Sequence, residues 1–209
     1  MSISFNSSHN FRGFSLIELL VTLALVAILG ALAAPSMVDY GIRNTLRSIG
    51  NDFSGSILKS RNEAIGKNTC VTMCMSTTVD TAIAGTSGPR CSTSGDDWQV
   101  GWIAFLNESC NTSWTYPHTS PTDTAYDEAG LIVSKRAVSG PYSLMTQTSG
   151  RRRLDFNARG SSGLSGATEF DLVYDSASNE KTLKYAFNIC LDALGRTRTI
   201  PTGSACATY

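Results

Sequence analysis

From Leu16 to Ala34 the chain is almost wholly apolar, interrupted by Glu18 and Thr22. That is about the length a helix needs to cross a bilayer. After Pro35 the pattern turns amphipathic: Val38, Ile42, Leu46, Ile49, Phe53 and Ile57 recur at steps of three or four, the period of one helix face. Arg43, Arg47, Lys59 and Arg61 fall on the other faces. The two patterns together predict a nearly continuous helix from Leu16 to Ile65, about 75 Å long at 1.5 Å per residue. Gly41, Gly50 and Gly55 weaken it, Pro35 removes a backbone donor and should kink it, and Gly66 is a natural stop.

From Asn68 onward short β-rich runs alternate with Gly, Ser, Thr, Asn and Pro clusters, which predicts an antiparallel sheet domain. The expected strands are Cys70 to Ser76, Gln99 to Leu106, Leu131 to Lys135, Arg153 to Asn157, Thr168 to Tyr174, Leu183 to Leu191 and Thr197 to Ile200. Residues 77–97 and 107–130 read as loop-rich insertions. The implied organisation is a leader at 1–13, a membrane half-helix at 14–35, an amphipathic half-helix at 36–66 and a β-rich domain at 67–209. In class this is α+β, a long N-terminal helix packed on an antiparallel sheet domain.

Composition narrows the chemistry. The 209 residues are 42% hydrophobic and 16% charged with no net formal charge, so the chain can bury a core, and any affinity for polyanions must come from a local patch. Six cysteines, Cys70, Cys74, Cys91, Cys110, Cys190 and Cys206, all follow the apolar segment, an even number that suits disulfides in an oxidising compartment. A strand would hold Cys70 and Cys74 on one face about 13 Å apart, too far for a mutual bond. Of the fifteen possible connectivities, the preferred pairs are Cys190 with Cys206, Cys74 with Cys91 and Cys70 with Cys110. With His118 the sole histidine after the leader, no metal site and no catalytic constellation are expected, and no cofactor is implied. Trp98, Trp102 and Phe105 read as core. Asn107-Glu-Ser109 and Asn111-Thr-Ser113 read as loop composition rather than glycosylation sites.

The N-terminus allows two readings. A basic residue, Arg12, precedes the apolar run, and Ala31-Leu32-Ala33 could serve as a signal-peptide cleavage site. Glu18 argues against that, because a carboxylate in hydrocarbon must be paired or protonated. The run Arg12-Gly13-Phe14-Ser15-Leu16-Ile17-Glu18-Leu19-Leu20 resembles the type III signal of type IV prepilins and type II secretion pseudopilins. That resemblance implies cleavage after Gly13 by a prepilin peptidase and N-methylation of Phe14. It also implies that Glu18 pairs with a neighbouring subunit's free amino group during assembly with other major and minor pilins. Arg12 favours a cytoplasmic N-terminus, hence a single-pass inner-membrane protein with a periplasmic domain.

Three further pieces, Trp98-Gln-Val-Gly-Trp-Ile-Ala-Phe105, Leu154-Asp-Phe-Asn-Ala-Arg-Gly160 and Tyr185-Ala-Phe-Asn-Ile-Cys-Leu-Asp-Ala-Leu-Gly-Arg-Thr-Arg198, resemble the FimT/GspH family, closer to FimT. The fold implied is type IV pilin-like. Six arginines fall between 151 and 198, and the planar guanidinium fork suits phosphate. In FimT-type minor pilins a Gly-Arg-x-Arg segment is associated with DNA binding, and Gly195-Arg196-Thr197-Arg198 matches it. Arg196 and Arg198 are therefore candidate DNA contacts, with Arg151, Arg152 and Arg153 as further candidates for the same surface and Tyr209 as the nearest stacking residue. The implied role is a minor pilin that binds the DNA backbone non-specifically for uptake in natural transformation. The alternative is a purely structural pilus-priming pilin or type II secretion pseudopilin.

Overall fold

The structure is a computed structural model that describes residues 13–118, 122, 124–148, 150–176 and 178–206. The leader before Gly13, with Arg12, and the terminal Tyr209 lie outside the described residues. Helix α1 spans Leu16–Gly66 without a break. Pro35 withholds a single donor, and the helical run continues on both sides of it. The chain divides into two compact units, with the division between Gly41 and Ile42. In the first unit the side chains of residues 16–34 are exposed. By length and composition this is a helix able to cross a membrane. Val38, expected on the packing face, lies in this unit and is exposed.

In the second unit the packing stripe of α1 starts at half-buried Ile42 and continues through Leu46, Ile49, Phe53, Ile57 and Ala64, all buried. Eight strands follow: β1 Cys70–Met75, β2 Gly101–Asn107, β3 Leu131–Arg136, β4 Tyr142–Thr146, β5 Arg153–Phe156, β6 Thr168–Tyr174, β7 Phe187–Leu191 and β8 Thr197–Pro201. They form two antiparallel four-stranded sheets rather than one, ordered β3-β2-β1-β5 and β4-β6-β7-β8. Three local expectations fail. Gln99 and Val100, expected to open β2, belong instead to a 3-10 turn, Trp98–Val100, capped by Asp97 through the Gln99 N–H. β4 falls in a stretch where no strand is expected. The expected strand from Leu183 begins as a short helix, α2 Asn179–Tyr185, because that run is polar with a favourable Glu180 near its start and Lys184 near its end.

The core lies on the α1 stripe. The Phe53 ring meets Trp98, Trp102 and Phe170 edge-on, with centroids 5.3, 5.4 and 4.9 Å away, geometry worth about 0.5–1.5 kcal/mol per pair beyond area burial. Trp102 donates its indole N–H to Ser56 Oγ at 2.9 Å, and Trp98 donates to the Arg151 carbonyl at 3.1 Å. Both polar handles are thereby satisfied. Strand β1 is buried at every position. Its inward residues Val71, Met73 and Met75 join the main core, while Cys70, Thr72 and Cys74 face the other way and are covered by the insertions. Disulfides Cys70–Cys110 and Cys74–Cys91 fasten those insertions to β1, and Cys190–Cys206 ties the C-terminal segment to β7. Cys74 packs with Ile103, Phe105 and Trp114 in a second apolar cluster. Asn107 is buried and brackets the insertion, donating to Thr72 Oγ1 and the Asn111 carbonyl and accepting from the Asn111 N–H.

The helix glycines divide by packing. A methyl at Gly50 would lie 2.8 Å from the Phe187 ring, whereas one at Gly55 would meet nothing within 4 Å. Helix propensity alone favours alanine at both by about 0.5–1 kcal/mol. Overpacking costs about 1–3 kcal/mol and wins at Gly50. Gly55→Ala is therefore expected to raise the denaturant midpoint and Gly50→Ala to lower it, and equal shifts of one sign would refute this packing account.

Candidate nucleic-acid interface

At the start of α1, Ser15 accepts a hydrogen bond from the Glu18 N–H at 3.2 Å, the arrangement of a capping residue with an acid three positions on. Phe14, whose ring is exposed, and Gly13 precede the cap.

The Gly195 segment is one of two matching turns. In Asn157-Ala-Arg-Gly160 the Gly160 N–H donates to the Asn157 carbonyl at 2.8 Å, and the Ser161 N–H donates to the Asn157 side chain at 3.1 Å. In Asp192-Ala-Leu-Gly195 the same bonds recur: Gly195 N–H to the Asp192 carbonyl at 3.0 Å, Arg196 N–H to the Asp192 carboxylate at 2.8 Å. Both glycines hold positive φ, +77° and +75°, a region that side-chain-bearing residues rarely adopt. The turns abut. A methyl at Gly195 would press into the Gly160 carbonyl oxygen and the Arg61 stem. Ser161 and Ser162 donate across to the Ala193 and Asp192 carbonyls, both at 2.8 Å. From α1, Arg61 Nε donates to the Gly160 and Leu194 carbonyls at 3.1 and 3.2 Å. Sequence reasoning left Arg61 on an unassigned helix face; nothing in its spacing marks it as the clamp of two remote turns.

This frame positions the candidate arginines. Arg196 lies just before β8, not within it, but its carbonyl still accepts the Asp192 N–H at 3.0 Å. The two-residue spacing therefore keeps Arg196 and Arg198 on one side of the ribbon. Arg196 is half-exposed, with Nε 2.7 Å from Asp192 Oδ2. Arg198 is half-buried and stands opposite Cys190 in the register. Burial alone would raise the Asp192 carboxyl; hydrogen bonds from the Arg196 backbone and guanidinium, with the arginine's charge, outweigh it and hold the group below its ordinary 3.8.

The arginine triplet is not part of that corner. It sits at the start of β5, whereas the Gly160 turn follows the end of β5, a separation of about 13 Å at 3.3 Å per residue. Arg153 is an internal strut: it pairs with Asp155 at 2.8 Å and donates to Thr72 Oγ1 and to the carbonyls of Asn111 and Trp114. Arg152 pairs with Asp96 at 3.3 Å. Arg159, passed over in sequence, is exposed and sits in the turn that abuts Gly195. No group of three or more metal-ligating side chains occurs among the described residues.

Comparison with known proteins places this architecture. The family model described as "Type II transport protein GspH" matches residues 50–195, more than half of the chain. The chain belongs to the GspH family. A second model, the prokaryotic N-terminal methylation motif, matches residues 8–34. No curated protein matches the chain. Among solved structures, the type IV minor pilin FimU of Pseudomonas aeruginosa (strain PAO1) is similar in two crystal forms. One has 13% identity and a TM-score of 0.49, covering 78% of this chain and 93% of that one. The other has 12% identity and a TM-score of 0.47, covering 76% and 95%. The GspH-family match and the methylation motif make this a pilin- or pseudopilin-like protein with an N-terminal membrane anchor.

Asp192→Asn should destabilise the protein at neutral pH by about 1–3 kcal/mol, the range for a buried charge-assisted bond. A depressed folded pKa confers stability that is present above the unfolded value and lost as pH falls through the folded one. The difference between wild type and variant should therefore shrink as pH drops below 3.8. Denaturant titrations at neutral pH and near pH 3 measure it, and a gap that persists in acid would exclude this linkage.

Proposed function

We propose that this GspH-family protein is a minor pilin of a type IV pilus that binds DNA through its C-terminal arginines during uptake. The observation that carries the reading is the clamped Gly195 turn. Arg61, the Gly160 turn and the Cys190–Cys206 disulfide all hold the β7–β8 hairpin. Arg196 and Arg198 are thereby presented on a rigid edge, which lowers the ordering cost of meeting a phosphate backbone. Processing after Gly13, methylation of Phe14 and pairing of Glu18 with a neighbour's amino group would insert the subunit among other pilins. The inner membrane holds it beforehand, with the β-rich domain in the periplasm.

A second reading is favoured by two specific observations. Asp192 already engages Arg196, and the register sets Cys190 between Arg198 and Glu169, so a carboxylate stands in the same row as Arg198. Both arginines could then serve only the hairpin, in a structural pseudopilin or a pilus-priming pilin.

The mature chain in detergent, titrated with duplex DNA at 50 and 200 mM salt, separates the two. The DNA-binding reading expects affinity that falls steeply with salt. It also expects the double variant Arg196→Ala/Arg198→Ala to bind at least tenfold more weakly, with a salt slope reduced by about 2. Absence of binding by the folded wild-type chain would leave the structural role.

A further inference from the structure

Three features lie outside the roles above: the polar cleft over the outer face of β6 and β7, the aromatic cluster in the 107–130 insertion, and the arginine triplet before β5. The first gathers the carboxylates Glu169 and Asp171 with nothing in the structure pointing to a ligand. The second is a buried packing unit, in which Tyr116 and Tyr126 stack and Arg90 lies 4.0 Å over the Tyr116 ring. The third goes further.

We infer that the cleft bordered by Thr148, Gly150, Arg151 and Arg152 is a binding site for a phosphate-type oxyanion, taken by the Arg151 guanidinium. The cleft encloses about 280 Å³. Of the three adjacent arginines, Arg153 is paired with Asp155 and Arg152 with Asp96, while Arg151 is in no ion pair among the described residues. Its Nε is shut off from water and has no hydrogen-bond partner. Buried donors of folded proteins are overwhelmingly satisfied, so an orphan needs an explanation, of which a bound acceptor such as an ion is one. The Asp96 carboxylate engages Arg152 and the Gly150 N–H, the latter at 2.8 Å, both through Oδ1.

The loop carrying Arg151 is fixed to the core. The Arg151 N–H donates to the Thr148 carbonyl at 3.2 Å, its carbonyl accepts the Trp98 indole at 3.1 Å, and the Arg152 carbonyl accepts the Met75 N–H at 2.9 Å. Gly150 makes the bend possible with φ at +78°. A rigid backbone thus holds an unpaired guanidinium beside a second, half-exposed one and a hydroxyl-bearing residue. A tetrahedral oxyanion offers acceptors to both forks at once, more than a planar carboxylate can. Free phosphate and the phosphodiester of a nucleic acid share this chemistry. The site is at the far end of β5 from the Gly195 hairpin and does not depend on the function proposed above.

The test follows arginine Nε–H resonances of the ¹⁵N-labelled mature chain in detergent micelles, titrated at constant ionic strength with inorganic phosphate, with a short DNA duplex and with acetate. One Nε–H should shift saturably, and Arg151→Gln should remove that resonance and weaken binding about tenfold, the loss of one charge-assisted contact. Arg151→Lys keeps the charge without the fork and should restore little of it. A shift with phosphate alone identifies a free anion, and a shift with duplex, alone or as well, identifies a phosphodiester; either supports the site. The response should persist in Arg196→Ala/Arg198→Ala, so failure of the hairpin reading leaves it intact. No saturable shift with phosphate or duplex, a shift that survives Arg151→Gln, or an equal response to acetate would overturn the inference.

Discussion

The second unit of the molecule depends on one apolar stripe of α1, and within it on Phe53. Three aromatic rings, Trp102 and Phe170 from the two sheets and Trp98 from the 3-10 turn, converge on that side chain. An antiparallel sheet with one apolar face needs something to cover it, and here residues from both sheets join the same cluster as Leu46, Ile49 and Ile57. The helix is therefore a structural partner of both sheets as well as an anchor. The stripe repeats at helical spacing yet carries glycine at 50, where Phe187 fills the space a side chain would need.

The insertions solve a second covering problem. β1 and β2 are buried on nearly all positions, a pattern ordinarily found where both faces of a sheet are packed. The α1 side accounts for half of that burial. The rest comes from loop segments held by two disulfides, by Asn107 and by Arg153, which between them bond the backbone of Asn111 and Trp114. A loop fastened at that density behaves as a third layer.

Much of this was legible from residue pattern: the long helix and its buried face, the core role of Trp98 and Trp102, and the approximate position of most strands, Thr168–Tyr174 to the residue. What escaped was either weakly patterned or non-local. α2 buries only Tyr185 and so carries no stripe. β4 is five residues with only Leu144 and Thr146 buried. Division into two sheets depends on which strands pair, and no local period encodes that. The alternation along β1 excluded a Cys70–Cys74 bond but still left a dozen of the fifteen connectivities open, and the preferred three pairs are those present. At the candidate interface, the two-residue spacing of Arg196 and Arg198 was legible. The Asp192 contact lay four residues away and went unread, and the Arg61 clamp spans 99 residues to Gly160 and 133 to Leu194 and gave no local signal.

The contact between the two glycine turns bears on how such a chain can vary over evolutionary time. Because the Gly195 backbone rests on the Gly160 carbonyl and one Arg61 nitrogen donates to the carbonyls of Gly160 and of Leu194 beside Gly195, three positions far apart in sequence form one heritable unit. A change at any one alters what the other two can tolerate, so their effects should be non-additive. Loop length at either turn is constrained for the same reason. Family members that differ here are expected to have exchanged the trio together, which would make covariation among these sites a marker of the corner's presence.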